Sequence, residues 1–174
     1  MPALYAVRLA RREEIPLLAP LQLAAAKRFS TDDLPEPLRS TYTVPREYLE
    51  EAFARGALWV AAGPDGNPVG YAVLREAERL AFLFQVDVLP DHGRKGLGGS
   101  LIERVITRAR ELGYGELYLT TFGHVPWNAP FYAKLGFAVL RDGEMPAYVR
   151  GMLREERGLA ANRVAMRKVL RVAV

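Results

Sequence analysis

Residues 91–100 combine glycines and cations in a pattern that is typical of a phosphate-binding loop. The segment follows an apolar run from Phe82 to Leu89 and precedes an amphipathic run that starts at Leu97. Backbone N–H groups that converge at the start of a helix attract an anion, and glycines let the anion approach the backbone closely. The first hypothesis is therefore a ligand that carries phosphate.

Two nucleotide-binding glycine motifs do not fit this segment. A P-loop requires a lysine directly before its serine or threonine, and Gly99 holds that position before Ser100. A dinucleotide-binding fingerprint that begins at Gly96 and Gly98 needs its third glycine where Leu101 stands. Neither a nucleotide hydrolase nor a dinucleotide-dependent oxidoreductase is favoured.

Residues 128–137 form a second segment whose residue types are suited to catalysis. Asn128 is a good N-cap, Pro130 is tolerated in a first helical turn, and Gly136 is placed to end a helix. Asn128 and Tyr132 are four residues apart, so their side chains project from the same side of the helix start. The pattern predicts a short helix that presents a phenol.

The two segments, in this order, resemble the motifs of the GNAT superfamily of N-acyltransferases. Gly96 and Gly98 match the small positions of its acyl-CoA loop, [Q/R]-x-x-G-x-[G/A], whereas Gly93 stands at the Gln/Arg position. That departure removes one side chain and leaves the main-chain amides. Residues 128–137 are similar to the family segment in which an asparagine precedes Y-x-K-x-G-F. The resemblance covers about residues 80–140.

The resemblance implies an acyl-CoA co-substrate, here acetyl-CoA. In this family, main-chain groups of the strand before the loop bind the pantetheine arm, and the loop amides hold the pyrophosphate. The residues expected to bind the coenzyme share these positions or flank the second segment. They are Val86, Val88, Arg94, Lys95, Gly96, Leu97, Gly98, Gly99 and Asn128.

Acetyl transfer to an amine requires a base and an acid. Tyr132 is predicted to be the general acid, because a phenol of pKa about 10 stays protonated until the leaving thiolate develops charge. Gln85 and Asp87 fall on one side of a strand, where the family often places a carboxylate or a residue that orders water. Asp87 is the ionisable one and is the predicted base, although it is also suited to capping the loop. His124 is an alternative base.

The acceptor is left open by the sequence. Residues 30–36 are acidic and rich in turn-forming residues. They would either steer a cationic amine by electrostatic attraction or form a solvated loop with helix caps. Protein amines, polyamines, aminoglycosides and amino acids therefore all remain candidate acceptors.

Composition indicates one enzyme-sized domain, residues 1–174, with half of its residues apolar. The absence of cysteine excludes disulfides, cysteine–zinc sites and an acyl-cysteine intermediate, and two separated histidines do not favour a metal site. The apolar stretch Ile15–Ala26 is interrupted by Pro16, Pro20 and Gln22, so neither export nor membrane spanning is expected and the cytoplasm is the expected location.

Positive charge is local to the end of the chain. The net charge is +4, and residues 150–171 hold seven basic residues against two glutamates. No aromatic residues alternate with these cations as they would on a base-stacking surface, so nucleic acid is not an expected partner.

Periodicity predicts an α/β domain with the order β-α-α-β-β-β-α-β-α-β and a small tail, and residues 30–44 are expected to be a loop. The strand that ends at Leu89 and the strand Glu116–Thr121 are joined by a helix, so they are expected to be parallel neighbours. The resemblance implies a GNAT-like fold: a mixed, mostly antiparallel sheet of about seven strands, helices on both faces, and parallel strands splayed at the cofactor cleft.

Three functional hypotheses follow. The first is an acetyl-CoA-dependent N-acetyltransferase that acts directly within a ternary complex. The second is a non-catalytic acyl-CoA-binding or regulatory module of the same fold, which the departure at Gly93 supports. The third is a nucleic-acid-binding domain that uses the basic tail. The final strand, residues 163–170, is also able to pair with a second subunit, so a homodimer is left open.

Overall fold

A computed structural model describes residues 4–171. The helices of this part of the chain are α1 (Ile15–Ala26), α2 (Glu36–Thr41), α3 (Arg46–Ala54), α4 (Leu97–Glu111), α5 (Ala129–Lys134) and α6 (Ala147–Leu159). The strands are β1 (Ala6–Leu9), β2 (Leu58–Ala62), β3 (Pro68–Ala77), β4 (Leu80–Val88), β5 (Glu116–Phe122), β6 (Ala138–Val139) and β7 (Arg163–Val169). Within residues 4–171 no helix is long and apolar enough to cross a membrane.

The seven strands form one mixed sheet in the order β1-β2-β3-β4-β5-β7-β6. The pairs β1–β2, β2–β3, β5–β7 and β6–β7 are antiparallel. Strands β4 and β5 are parallel, with Ala81 opposite Leu117 and Phe82 opposite Tyr118. The predicted parallel pair and the mostly antiparallel sheet are therefore confirmed. The splay of these strands at a cofactor cleft stays a prediction.

The chain packs as two compact units. The first unit contains residues 4–75 and 83–108, and the second contains residues 76–82 and 109–171. The border runs through β4, so the first unit holds the end of β4 and the loop that follows it, whereas the second unit holds the β4–β5 parallel pair.

The core of the first unit forms around β2, β3 and α4. Every residue of β2 is buried, and α4 buries the side of the helix that carries Leu101, Ile102, Val105 and Ile106. These residues recur at helical spacing, so a single apolar stripe of α4 faces the sheet. The amphipathic pattern that starts at Leu97 is thus sufficient to orient the helix whose first turn follows the glycine loop.

Gly70 of β3 is required by close packing in the same unit. A Cβ atom at this position would lie 2.9 Å from the carbonyl oxygen of Asp87 and 3.3 Å from Cδ1 of Leu101. Real Cβ atoms do not approach a carbonyl oxygen that closely, and a backbone group cannot rotate away as a side chain can. Gly70 therefore allows the end of β4 to lie against β3 while α4 covers both.

The second unit has its own apolar cluster between β5, β7 and α6. The buried members are Phe82, Tyr118, Leu140, Met145, Val149, Leu153 and Ala165. All seven residues of β5 pair with β7, from Glu116 opposite Val169 to Phe122 opposite Arg163. The long antiparallel ladder and the covering helix explain how the tail, for which the sequence predicted a helix over residues 146–157 and a final strand over residues 163–170, joins the sheet.

One helix was not expected from the sequence. Residues 30–44 were predicted to be a loop, and this prediction is wrong for α2. The helix is only six residues long and contains Pro37, so its intrinsic propensity is weak. It is held by tertiary contacts instead, because the Arg39 guanidinium donates to the carbonyl oxygens of Phe29 at 3.0 Å and Lys27 at 3.0 Å. These bonds also satisfy carbonyl groups at the end of α1.

Gly70→Ala is expected to lower the free energy of unfolding by about 1–3 kcal/mol, because the added methyl group would overlap the backbone of β4. Chemical denaturation measured by circular dichroism checks this. Gly151→Ala is the matched control: it lies within α6, nothing comes within 4 Å of the added Cβ, and a helical alanine is favoured over glycine. Equal unfolding midpoints for Gly70→Ala and the wild type would contradict the packing argument.

Candidate active site

The loop between β4 and α4 has a backbone conformation suited to binding an anion. A 3-10 turn, Pro90–His92, leads into it, and Arg94 and Gly96 both have positive φ angles, +59° and +74°. An arginine in the left-handed region is uncommon, and such strain often accompanies a binding function. The helix begins at Leu97, and the first amide groups of any α-helix lack an acceptor within the helix. The loop thus precedes a set of free N–H groups.

Side chains of the loop and of the turn before it contact Tyr5, the residue that directly precedes β1. The Tyr5 hydroxyl lies 2.8 Å from Nδ1 of His92, and the two rings meet edge to face at 5.7 Å. Nζ of Lys95 lies 5.8 Å from the centre of the Tyr5 ring, within reach of a weak cation–π contact. A cleft of about 620 Å³ opens here, lined by Tyr5, Val7, Lys95, Leu97, Ser100, Glu103 and Arg104. No local sequence pattern indicated that Tyr5 contacts the loop.

Asp87 and Gln85 contact each other near the end of β4. Nε2 of Gln85 donates a hydrogen bond to Oδ2 of Asp87 at 2.6 Å. Burial raises the pKa of Asp87 to about 7, and the hydrogen bond from Gln85 offsets part of that rise. The described hydrogen bond of the carboxylate goes to the neighbouring strand residue rather than to the loop. A carboxylate that titrates near neutrality is able to act as a general base at physiological pH.

A buried polar network lies beside Asp87 in the same unit. Oε1 of Gln22 accepts hydrogen bonds from the Tyr71 hydroxyl and from the backbone N of Val44, both at 2.9 Å. Burial raises the pKa of Tyr71 well above its usual value, and the negative charge of Asp87 raises it further. Sequence reasoning did not select Gln22 or Tyr71. The available signal was the polar Gln22 within an otherwise apolar run.

The second predicted segment forms α5 in the second unit. Asn128 occupies the N-cap position, but its side chain makes no capping bond; its Oδ1 accepts instead from Oγ1 of Thr121 at 2.6 Å. The expected capping by the Asn128 side chain is therefore wrong, because a hydroxyl on β5 binds this amide. The Tyr132 ring is half-buried and contacts the rings of Phe131 at 5.6 Å and Phe137 at 6.0 Å.

The predicted site residues are divided between the units. Gln85, Asp87, the coenzyme-binding valines Val86 and Val88, and residues 94–99 belong to the first unit. Val86 and Val88 are half-buried, and Cγ2 of Val88 lies 3.1 Å from the Cβ position at Gly70. Asn128 and Tyr132 belong to the second unit. Gln85 and Asp87 are thus brought together by the structure, and their roles stay predictions.

A family model described as Acetyltransferase (GNAT) family matches residues 26–137. The match covers more than half of the chain and includes both the glycine loop and the Tyr132 segment. The chain therefore belongs to the GNAT acetyltransferase family.

Solved structures of acetyltransferases have the same fold. The PaiA N-acetyltransferase of Thermoplasma acidophilum, solved in complex with coenzyme A, is 18% identical with a TM-score of 0.71, and the match covers 95% of this chain and 98% of that one. A GNAT-family acetyltransferase of Staphylococcus aureus is 18% identical with a TM-score of 0.69, over 96% of this chain and 99% of that one.

A longer protein is similar over one part of its length. The N-acetylglutamate synthase of Neisseria gonorrhoeae, solved with coenzyme A and N-acetyl-glutamate, is 23% identical with a TM-score of 0.69. The match covers 98% of this chain and 36% of the synthase, so this chain spans about a third of that protein. At these identities the likeness shows the fold, and the predicted GNAT-like fold is confirmed.

Asp87→Asn is expected to stabilise the protein at pH 8 and to have little effect at pH 4. A raised pKa means that folding favours the protonated carboxyl, so wild-type stability falls as the pH rises from about 4 to about 7 and levels off above that, while the amide stays neutral. The difference in unfolding free energy at pH 8 should reach about 1–3 kcal/mol. Thermal unfolding at both pH values checks this, with Asp91→Asn, at an exposed loop position, as the control. A pH-independent difference would contradict the raised pKa.

Proposed function

We propose that this protein transfers an acetyl group from acetyl-CoA to a primary amine, directly within a ternary complex. Membership of the acetyltransferase family supports acetyl transfer in general. The observation that carries the finer proposal is the Asp87 carboxyl, whose pKa of about 7 suits a base that removes a proton from an amine. The absence of cysteine agrees with direct transfer, since no acyl-cysteine intermediate is available.

The coenzyme is proposed to bind at the loop between β4 and α4. The positive φ angles of Arg94 and Gly96 and the free amides of the first α4 turn support pyrophosphate binding by residues 94–99. The exposed cations Arg94 and Lys95 add positive potential. Main-chain groups of Val86 and Val88 are proposed to bind the pantetheine arm, and Asn128 is proposed as a further coenzyme contact. The relative from Thermoplasma acidophilum, solved with coenzyme A, supports this ligand class.

The raised pKa of Asp87 reduces the cost of the first proton transfer. An alkylamine of pKa about 10.4 is almost entirely an ammonium at pH 7, and a carboxylate of ordinary pKa, about 3.9, would take its proton only at a cost of about 9 kcal/mol. A base of pKa about 7 lowers this cost by about 4 kcal/mol, at 1.36 kcal/mol for each pKa unit. Gln85, which contacts the carboxylate, is proposed to orient it or an intervening water.

The chemical step conserves protons and bonds. Asp87 removes one proton from the ammonium, and the nitrogen lone pair attacks the thioester carbonyl carbon. The new C–N bond forms and the C–S bond breaks. The departing thiolate takes the phenol proton of Tyr132, and the second proton lost by the nitrogen restores the phenol. The products are the N-acetylated acceptor and the thiol of CoA.

A non-catalytic acyl-CoA-binding module is the second candidate, because Gly93 stands at the Gln/Arg position of the loop motif. Calorimetry with acetyl-CoA and release of free thiol across a panel of amines separate the two. The transferase proposal expects binding and thiol release that depends on an amine. Binding without thiol release for any amine would support the binding module instead.

Asp87→Asn is expected to lower kcat/KM for the best amine by about 10²–10⁴-fold, the usual contribution of a general base. The wild-type kcat/KM should rise about tenfold per pH unit below pH 7 and level off above it, since only the ionised carboxylate accepts a proton. The variant should lose this rise while retaining its acetyl-CoA affinity. A variant whose pH profile matches that of the wild type would exclude Asp87 as the base.

Tyr132→Phe is expected to lower kcat by about 10²–10⁴-fold with little change in the dissociation constant of acetyl-CoA, because the ring remains and only the acidic proton is lost. Tyr148→Phe is the matched control in the same unit, since the Tyr148 ring contacts Phe82 at 5.7 Å in the apolar cluster. Steady-state kinetics and calorimetry measure both quantities. Unchanged turnover in Tyr132→Phe would remove this residue from the chemistry.

A further inference from the structure

Only the oxygen of the Gln22 side-chain amide forms hydrogen bonds within the described residues. It lies in α1 and is 5% exposed. Its Oε1 atom accepts from Val44 N and from the Tyr71 hydroxyl, which occupies both lone pairs of the oxygen. The orientation of the amide is set chemically, because Val44 N is a donor and can pair only with the oxygen. The NH₂ group must therefore face the other way.

The donor end of Gln22 has no partner within the described chain. Among residues 4–171, no hydrogen bond leaves Nε2 of Gln22. Nor does this atom belong to the side-chain polar atoms of residues 4–171 that are sealed from solvent without a hydrogen bond. Nε2 thus keeps access to solvent although its residue is buried. A fixed donor at such a place is able to bind an oxygen atom of a ligand.

The same network connects this donor, through Tyr71, to the strand pair that carries the proposed base. Leu89 N donates to Val69 O at 2.8 Å, which aligns the ends of β4 and β3. Two residues along each strand from this bond stand Tyr71 and Asp87, as cross-strand neighbours on one face. The effect of the Asp87 charge on the pKa of Tyr71 agrees with this closeness. Tyr71 therefore donates a hydrogen bond to Gln22 and is the cross-strand neighbour of Asp87.

We propose that Gln22 selects acceptors in which the amine stands beside a carbonyl or carboxylate oxygen. This inference rests on the proposed function and names its substrate class. The acceptor oxygen receives the hydrogen bond from Nε2, and the neighbouring amine reaches Asp87. An α-amino acid and the amino end of a polypeptide share this chemistry. A simple alkylamine or a polyamine leaves the donor unpaired, and a site built to hydrogen-bond a substrate group discriminates strongly against analogues that lack it.

Two substitutions at Gln22 test the role of the donor. Gln22→Glu keeps an oxygen for Val44 and Tyr71 but replaces the NH₂ group with a second oxygen, which repels an acceptor carbonyl. Gln22→Met has a similar length and neither donates nor accepts strongly. Leu17→Glu is the charge-matched control, because Leu17 lies on the same helix and is 47% exposed.

The readout is the ratio of kcat/KM for alaninamide to kcat/KM for isopropylamine, with acetyl-CoA saturating. This ratio does not depend on the fraction of enzyme that is folded, so a destabilised variant remains informative. Relative to the wild type, the ratio should fall about tenfold for Gln22→Met and about tenfold to a hundredfold for Gln22→Glu. Leu17→Glu should leave it unchanged. An unchanged ratio in both Gln22 variants would overturn the inference.

Binding to the enzyme–CoA complex, measured by calorimetry with the same two amines, separates this inference from the proposed function. A wild-type preference for alaninamide that is lost in Gln22→Glu supports the inference even if no thiol is released, in which case the proposed transferase activity alone fails. Equal binding of the two amines, or binding of neither, overturns the inference. Free alanine and a trialanine peptide, assayed in parallel, distinguish an amino acid from a polypeptide terminus.

Discussion

The cost of keeping an ionised carboxylate away from water is the constraint on which the proposed chemistry depends. Asp87 stands near the end of β4 with a single described hydrogen-bond donor, Gln85, and beside the buried phenol of Tyr71. One donor does not replace the hydration of a carboxylate, so the protonated form is favoured and the pKa rises to about 7. A base of this strength arises because the surrounding strands leave Asp87 only partly exposed to solvent.

That packing depends on a close approach of β3, β4 and α4. Gly70 leaves room for the carbonyl group of Asp87 and for Leu101, and the buried stripe of α4 covers the same region. The position of α4 in turn determines where its first amides lie, directly after the loop of residues 94–99. One set of contacts in the first unit therefore supports both the proposed base and the proposed phosphate-binding loop.

The acidic segment, residues 30–36, and the buried network around Gln22 differ in how their polar groups are engaged. The carboxylates at residues 33 and 36 are engaged locally, since Ser30 donates to Asp33 and Arg39 donates to Glu36. These local hydrogen bonds favour the interpretation of residues 30–36 as a capped surface segment rather than as a site that attracts a cationic amine. Gln22, in contrast, offers a fixed donor that Tyr71 connects to the strand of the proposed base, and fixed donors discriminate between acceptors better than mobile surface charges do.

Local patterns in the sequence were sufficient to predict the glycine loop, most helices and strands, and the parallel pairing of β4 with β5. Periodicity and the crossover rule act over short segments, so they can be applied without the tertiary structure. The contacts between residues far apart in the chain are known only from the tertiary structure. Tyr71 and Gln22 are 49 residues apart, Tyr5 and His92 are 87 apart, and α2 is held by Arg39 contacts to the end of α1. Such pairs depend on strand register and helix placement, which no local pattern encodes, and the unusual pKa of Asp87 arises from burial that only the folded chain creates.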